Sequence, residues 1–225
     1  MQPNSRKKSI WWWRRCASKL LAVIILGLCL IGCAQEGAGP PPQAQVAQVK
    51  DGDSLVLAGG QEVRLLGIDD PEMAHRGKPA DFLAHKSREA LAELTLGQTV
   101  RLEYDRQRYD HYGRLLGFMF LPDKTFVNAE LVRRGLARVY VHAPNERHRE
   151  VLLAAQKEAI EARRGIWQKL LNQDEESYVG NRNTLRLHRP GCPMAAKMAP
   201  ANRVRLESLK EAYSKGYSPC RSCQP

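Results

Sequence analysis

Several stabilising devices are scarce in this 225-residue chain. Its cysteines are Cys16, Cys29, Cys33, Cys192, Cys220 and Cys223. None falls between residues 34 and 191, so no disulfide framework can staple the bulk of the protein. No apolar run reaches the roughly 20 residues of a membrane-spanning helix; the run from Leu20 to Gly32 has 13. No internal repeat is visible. The first 33 residues lack any acid but carry Arg6, Lys7, Lys8, Arg14, Arg15 and Lys19. They therefore supply +6 of the formal net charge of +11, and the remainder, with 29 Lys and Arg against 24 acids, is only moderately basic at +5. That balance favours an anionic partner such as nucleic acid, but weakly. Hydrophobic residues at 43% and charged residues at 26% suffice for a packed core and exclude wholesale disorder.

The basic stretch followed by a 13-residue apolar run reads as a secretory signal rather than a span. It ends in Leu30-Ile31-Gly32-Cys33, which resembles a bacterial lipobox. The resemblance implies cleavage before Cys33 and lipid attachment at it, hence a protein held at the cell envelope, in the outer or cell membrane, facing periplasm or exterior. Residues 1–33 are thus expected to be a lipoprotein signal peptide, and the Pro/Gly-rich stretch 34–45 a tether.

From Val46 the chain alternates as strands do. Leu55-Val56-Leu57 and Val63-Arg64-Leu65-Leu66 flank Gly59-Gly60, a hairpin signal. Pro79 as a first-turn residue and Gly97 as a stop predict a helix over about 79–95. Strands are expected at Thr99–Tyr104 and Leu115–Leu121, a short helix at Val127–Arg134, and a longer one from Asn145, as N-cap, to Gly165. The order predicts a small α+β domain, 46–172, built on a five-stranded β-barrel with about three helices. Composition changes after Trp167, and a small module is expected over 173–225.

A hairpin centred on Gly59-Gly60 pairs residues whose numbers sum to 119. Asp53 then faces Leu66 and Asp69 faces Lys50, so that Asp51, Asp53, Asp69, Asp70 and Glu72 gather at one end. Carboxylates crowded together repel unless a cation sits among them, and all-oxygen ligands suit calcium or magnesium rather than zinc. Arg64 lies on the same hairpin, and Arg114 follows the turn Asp110-His111-Tyr112-Gly113. Cation, carboxylate base and two guanidiniums are the set that phosphodiester hydrolysis needs.

These segments, Asp51-Gly52-Asp53-Ser54, Arg64-Leu65-Leu66-Gly67-Ile68-Asp69-Asp70-Pro71-Glu72 and Asp110-His111-Tyr112-Gly113-Arg114, extended by Asn128-Ala129-Glu130-Leu131-Val132 and Gly135-Leu136-Ala137-Arg138-Val139, resemble the thermonuclease (staphylococcal nuclease-like) family over roughly residues 46–170. The resemblance implies an OB-fold and a calcium-dependent nuclease acting on DNA or RNA, by attack of water and departure of a 5′ oxygen. Residue by residue, it implies calcium at the Asp53 and Asp69 carboxylates and the Asp70 carbonyl, Glu72 as general base, Arg64 and Arg114 on phosphate, Tyr112 and Tyr140 at the nucleotide, and Asp51 behind the ligands. Asp70 departs from the family's threonine, and His142 stands where a tyrosine is expected.

The tail carries His188 and Cys192, then, after 27 intervening residues, Cys220 and Cys223. Two close pairs of soft or borderline ligands suit a tetrahedral structural zinc; the alternative is a Cys220–Cys223 or Cys192–Cys220 disulfide. So short a segment has little to bury, so metal is expected to supply its folding energy, leaving it removable from the nuclease domain. Tyr217-Ser218-Pro219-Cys220-Arg221-Ser222-Cys223-Gln224-Pro225 and Arg189-Pro190-Gly191-Cys192 resemble the metal-binding module of Ada-type DNA-repair methyltransferases. His188 replaces that module's methyl-accepting cysteine, so methyl transfer is not implied. The resulting expectation is a lipid-anchored calcium nuclease with a zinc module, acting as a monomer with no protein partner. The alternative is a catalytically inactive surface protein that binds nucleic acid.

Overall fold

The alternation in the first strands places one face inside. In strands β1 (Gln43–Val49), β2 (Ser54–Leu57) and β3 (Glu62–Leu65), the side chains of Val46, Leu55, Leu57, Val63 and Leu65 are buried, while Glu62 and Arg64 are only partly so. A computed structural model of the protein describes residues 39–225 except 76, 173 and 174. The expected signal peptide, Cys33 and residues 34–38 of the tether lie outside the described residues. Among the described residues no helix is long and apolar enough to cross a membrane.

Strand β4 (Gly67–Asp69) follows, then helix α1 (Ala84–Thr95), β5 (Thr99–Tyr109), β6 (Leu115–Phe120), α2 (Val127–Arg133), β7 (Arg138–Tyr140), α3 (Arg149–Glu161) and a short α4 (Trp167–Leu170). Five strands close a barrel in the order β1-β2-β3-β6-β5, all antiparallel except β3 with β6. This is the expected five-stranded OB-fold barrel. Strand β4 leaves it to pair with β7. Asn128, fully buried on α2, donates to the Leu66 carbonyl at 2.8 Å and accepts from the Met119 amide at 3.0 Å, satisfying backbone groups where the chain departs from the barrel.

Five local expectations change. Paired residues in β2 and β3 sum to 118, not 119, with Ser54 opposite Arg64. The hairpin does not run on to Asp69, because β4 pairs Asp69 with Arg138 instead of Lys50. The tether ends earlier, since Gln43, Ala44 and Gln45 pair with Arg101, Val100 and Thr99 to help close the barrel. Helix α1 begins at Ala84 rather than Pro79: the Asp81 amide and carboxylate are tied to the Glu72 backbone at 2.9 and 3.2 Å. Helix α3 begins at Arg149, because the Asn145 side chain bonds both the Gln107 amide and carbonyl at 2.9 Å instead of capping a helix.

The tail contains β8 (Tyr178–Asn181), β9 (Arg186–His188), α5 (Pro193–Ala196), β10 (Arg203–Leu206), α6 (Leu209–Ser214) and β11 (Ser218–Pro219), with a sheet in the order β10-β8-β9-β11. It is not a freestanding appendage. Ala159, Ile160, Ile166 and Trp167 of the nuclease helices share one buried cluster with Tyr178, Leu187, Leu206, Leu209, Ala212, Tyr213 and Tyr217. Pro40–Pro225 form one compact unit. The expectation of a tail separable from the nuclease domain changes: its apolar residues complete a core that the nuclease helices begin. Gly135 and Gly165 interlock nearby. Both have positive φ, and a Cβ on Gly165 would overlap the Gly135 carbonyl.

Buried Gln156 on α3 stitches the halves together, accepting from the Val139 amide and donating to the Tyr213 carbonyl, each at 2.6 Å. Leucine at this position leaves both backbone groups buried and unsatisfied, a cost of about 1–3 kcal/mol each. Gln156→Leu should therefore lower unfolding free energy by about 2–5 kcal/mol in urea titrations followed by circular dichroism. A loss below about 1 kcal/mol would show the bridge to be dispensable.

Candidate active site

The loop between β1 and β2 and the end of β4 bring three carboxylates together. One oxygen each from Asp51, Asp53 and Asp70 lie within 4.8 Å of one another. The grouping arises from tight backbone bonds rather than from hairpin register. The Gly52 amide donates to Asp70 Oδ2 at 2.7 Å, the Asp70 amide to Asp53 Oδ2 at 3.2 Å and the Asp53 amide to Asp51 Oδ1 at 3.2 Å. A Cβ on Gly52 would overlap Ser87 Oγ and stand 2.6 Å from Asp70 Oδ2, so only glycine lets α1 close over this corner. Ser87 Oγ is fully buried and has no hydrogen-bond partner among the described residues.

Asp53 is 4% exposed. Burial pushes its carboxyl up to about 6 against the opposing pull of Arg64, with Asp51 adding to the rise. Burial and the adjacent Asp53 push Asp70 up to about 9. A positive charge entering the corner would relieve both shifts, and the donor set is all oxygen. The residues present therefore fit a hard divalent ion.

Asp69 is not among the three. Its carboxylate is taken by Arg138, with Nη2 at 2.6 Å and Nε at 3.0 Å, and more distantly by Arg64 at 3.5 Å. Arg64 also bridges to Asp53 at 2.7 Å and donates to the Leu65 and Ile68 carbonyls, which fixes its guanidinium between the two aspartates. Arg138 lies in a segment quoted above for family likeness, but nothing local marked it as a partner of Asp69, 69 residues away.

Glu72 is exposed, and its carboxylate has no hydrogen bond among the described residues. It lines a cavity of about 630 Å³ together with Asp69, Arg138 and Tyr140, and also with Arg186, Arg221 and Gln224 of the tail. Tyr140 accepts a hydrogen bond from Arg186 at 3.0 Å, and the guanidinium lies 5.2 Å from its ring. Arg114 and Tyr112 line a different cavity, of about 560 Å³, beside Glu62 and Tyr109. Arg114 Nε donates to Asp110 at 2.8 Å, and Asp110 also accepts from the Tyr112 and Arg114 amides, so the turn holds the guanidinium in place. Tyr112 is 73% exposed.

In the tail, ligand atoms of His188, Cys192, Cys220 and Cys223 lie within 4.8 Å of one another, as the spacing predicted. Cys192, Cys220 and Cys223 are free thiols, so neither alternative disulfide is present. Burial, helped by Arg186, holds His188 below its ordinary value, favouring the neutral imidazole that binds metal. The amides of Cys223 and Ser222 outweigh burial at Cys220 and favour its thiolate.

Residues 62–169 match the family model for staphylococcal nuclease homologues, and residues 165–225 match that for the metal binding domain of Ada. The chain is 37% identical to a thermonuclease of Staphylococcus intermedius over 127 residues, 55% of this chain and 75% of that protein. It is 33% identical to a thermonuclease of Staphylococcus hyicus over 126 residues, 55% of this chain and 74% of the relative. An uncharacterized endonuclease of Escherichia coli is 34% identical over 126 residues, 55% of this chain and 75% of that protein. The chain belongs to the staphylococcal nuclease family, a family of nucleases.

The raised Asp70 carboxyl gives a testable pH dependence. Its folded-state value, about 9, exceeds the ordinary 3.8, so the fold favours the protonated form. That stability is complete below about pH 4 and is lost as pH rises toward 9. In chelator, wild-type protein should lose more than about 1 kcal/mol between pH 5 and pH 9, and Asp70→Asn should flatten this trend. Equal slopes for the two proteins in urea titrations would show that Asp70 is not held protonated.

Proposed function

We propose that the protein is a lipid-anchored nuclease of the cell envelope that hydrolyses phosphodiester bonds of DNA or RNA with calcium bound at its aspartate corner. The observation that carries this reading is the Asp51–Asp53–Asp70 group, with Asp53 and Asp70 buried and Arg64 bridged to Asp53 and Asp69, beside Glu72, whose carboxylate has no hydrogen bond among the described residues and lines an open cavity. Asp53 and Asp70 hold the ion, with Asp69 at its margin and Asp51 completing the acidic corner. A cation held there supplies Lewis-acid polarisation of a phosphoryl oxygen. Glu72 takes a proton from the attacking water, whose oxygen bonds to phosphorus as the bond to the 5′ oxygen breaks. Arg64 and Arg114 neutralise the charge that develops on the phosphoryl oxygens, and Arg114 exchanges Asp110 for phosphate. Tyr112 and Tyr140 contact the nucleotide. The envelope location rests on Leu30-Ile31-Gly32-Cys33, with lipid on Cys33.

Glu72→Gln should lower turnover by about 10²–10⁴-fold on plasmid or RNA in millimolar calcium, since that is what general-base catalysis contributes. Chelator should abolish cleavage. If the wild-type protein binds both polymers in calcium and cuts neither, it is a binding protein and not a nuclease.

In the same reading His188, Cys192, Cys220 and Cys223 bind one structural zinc. Because their module shares its core with α3 and α4, zinc loss should destabilise the nuclease as well as the tail. Anaerobically purified protein should contain about one zinc per chain, and Cys220→Ser should lower both its zinc content and its thermal midpoint. Zinc near zero in a stable, active protein would exclude the assignment.

A further inference from the structure

Arg138 and Tyr140 alternate with buried Val139 along β7, so both side chains leave the same face of the strand, and both line the cavity that Glu72 lines. Each is fixed by a different part of the chain. Arg138 is held by Asp69 of β4. Tyr140 is held from the metal module. Arg186 Nη2 donates to its hydroxyl at 3.0 Å, and the guanidinium carbon stands 5.2 Å from the ring centre. Arg186 Nη1 donates to the Pro219 carbonyl at 2.9 Å and to Ser218 Oγ at 3.3 Å. One planar fork thus ties β11 to β7, a reach that a single ammonium does not reproduce. The module's own pairing sets where the fork sits. Strands β9 and β11 run parallel with Arg186 opposite Ser218, and the Cys220 amide donates to the Leu187 carbonyl at 2.8 Å. Strand β9 ends on His188 and β11 leads directly into Cys220, so two members of the His188–Cys192–Cys220–Cys223 cluster terminate the strands that carry Arg186 and its anchor.

Arg186 has no ion pair among the described residues; its bonds go to a carbonyl and two hydroxyls. Its charge is therefore not cancelled by a carboxylate before it reaches Tyr140. The Tyr140 hydroxyl accepts from this cation, and its own proton goes to no acceptor among the described residues. Bonds in such a chain polarise one another, so a hydroxyl that accepts from a guanidinium donates more strongly. We propose that Arg186 is a positioning residue of the nuclease site: supplied by the metal module, it fixes Tyr140 at the Glu72 cavity and leaves the phenolic proton for a phosphate oxygen of the substrate. The module then serves the substrate site as well as the core. This rests on the nuclease reading above, in which Tyr140 contacts the nucleotide.

The test is a double-mutant cycle read by fluorescence anisotropy, with the full chain in calcium carrying Glu72→Gln to prevent cleavage. The probes are labelled DNA and RNA oligonucleotides, and the cycle uses whichever the parent binds more tightly. Adding Arg186→Gln or Tyr140→Phe should each weaken binding about tenfold. Adding both should weaken it no further than either alone, because the same contact is lost. The slope of log affinity against log salt should stay at the parent's value in Arg186→Gln, since tyrosine and not arginine meets the phosphate. Zinc content and thermal midpoint are measured on every variant. Tyr140→Phe leaves the module untouched, and Arg186→Lys, which keeps the charge and loses the fork, repeats the cycle if Arg186→Gln lowers the zinc content. Losses that multiply in the double variant, or a salt slope reduced by about 0.7 in Arg186→Gln, would show Arg186 meeting phosphate by itself and overturn the positioning role. Parental affinity in Tyr140→Phe overturns it too. Each of these results leaves the nuclease reading intact, whereas a parent that binds neither oligonucleotide overturns both.

Discussion

Burying Asp53 beside Asp70 is the constraint around which the rest of this structure is arranged. Two carboxyls desolvated together repel, and burial with that repulsion raises both above the ordinary carboxylate value, Asp70 the more. Arg64 answers part of that demand by reaching Asp53 from β3, but the same guanidinium is also committed to two carbonyls and, more distantly, to Asp69. The geometry is expensive for a merely structural feature, and Ser87 Oγ, buried without a partner against the same corner, adds to the cost. A divalent ion bound there would offset the repulsion, as the proposed function requires. Perturbed groups of this kind mark functional sites more often than structural ones.

The second organising feature is the shared core. A metal module of this length would ordinarily depend on its ion for folding. Here Tyr178, Tyr213 and Leu206 are buried against Trp167 and Ile160, and Gln156 bonds across the junction. Arg221 and Gln224 of the same module reach the rim of the cavity that Glu72 lines. The placement of Arg186 on Tyr140 shows the same coupling from the nuclease side.

Short-range chemistry was the legible part of the sequence. Gly59-Gly60 between alternating apolar residues marks the hairpin, and the two ligand pairs of the tail mark the metal cluster, because each depends on neighbours in the chain. What escaped depends on distant contacts. A single-residue change in the turn register, and the departure of β4 toward β7, remove Asp69 from the aspartate group and give it Arg138 as partner. Asn145 has the composition of a helix cap, yet β5 outbids the helix for its amide. The core beneath the tail stayed hidden because its apolar residues, such as Leu206, Leu209 and Tyr213, are too few to suggest a core until those of α3 and α4 are added.

Calcium titration by calorimetry, on chelator-stripped full chain and on its Asp53→Asn variant, addresses the aspartate corner most directly. Wild-type protein should bind one calcium ion, and the variant should bind none at the same concentrations while remaining folded. A wild-type protein that takes up no calcium, or a variant that takes it up equally well, would contradict a metal-dependent site at Asp53 and Asp70.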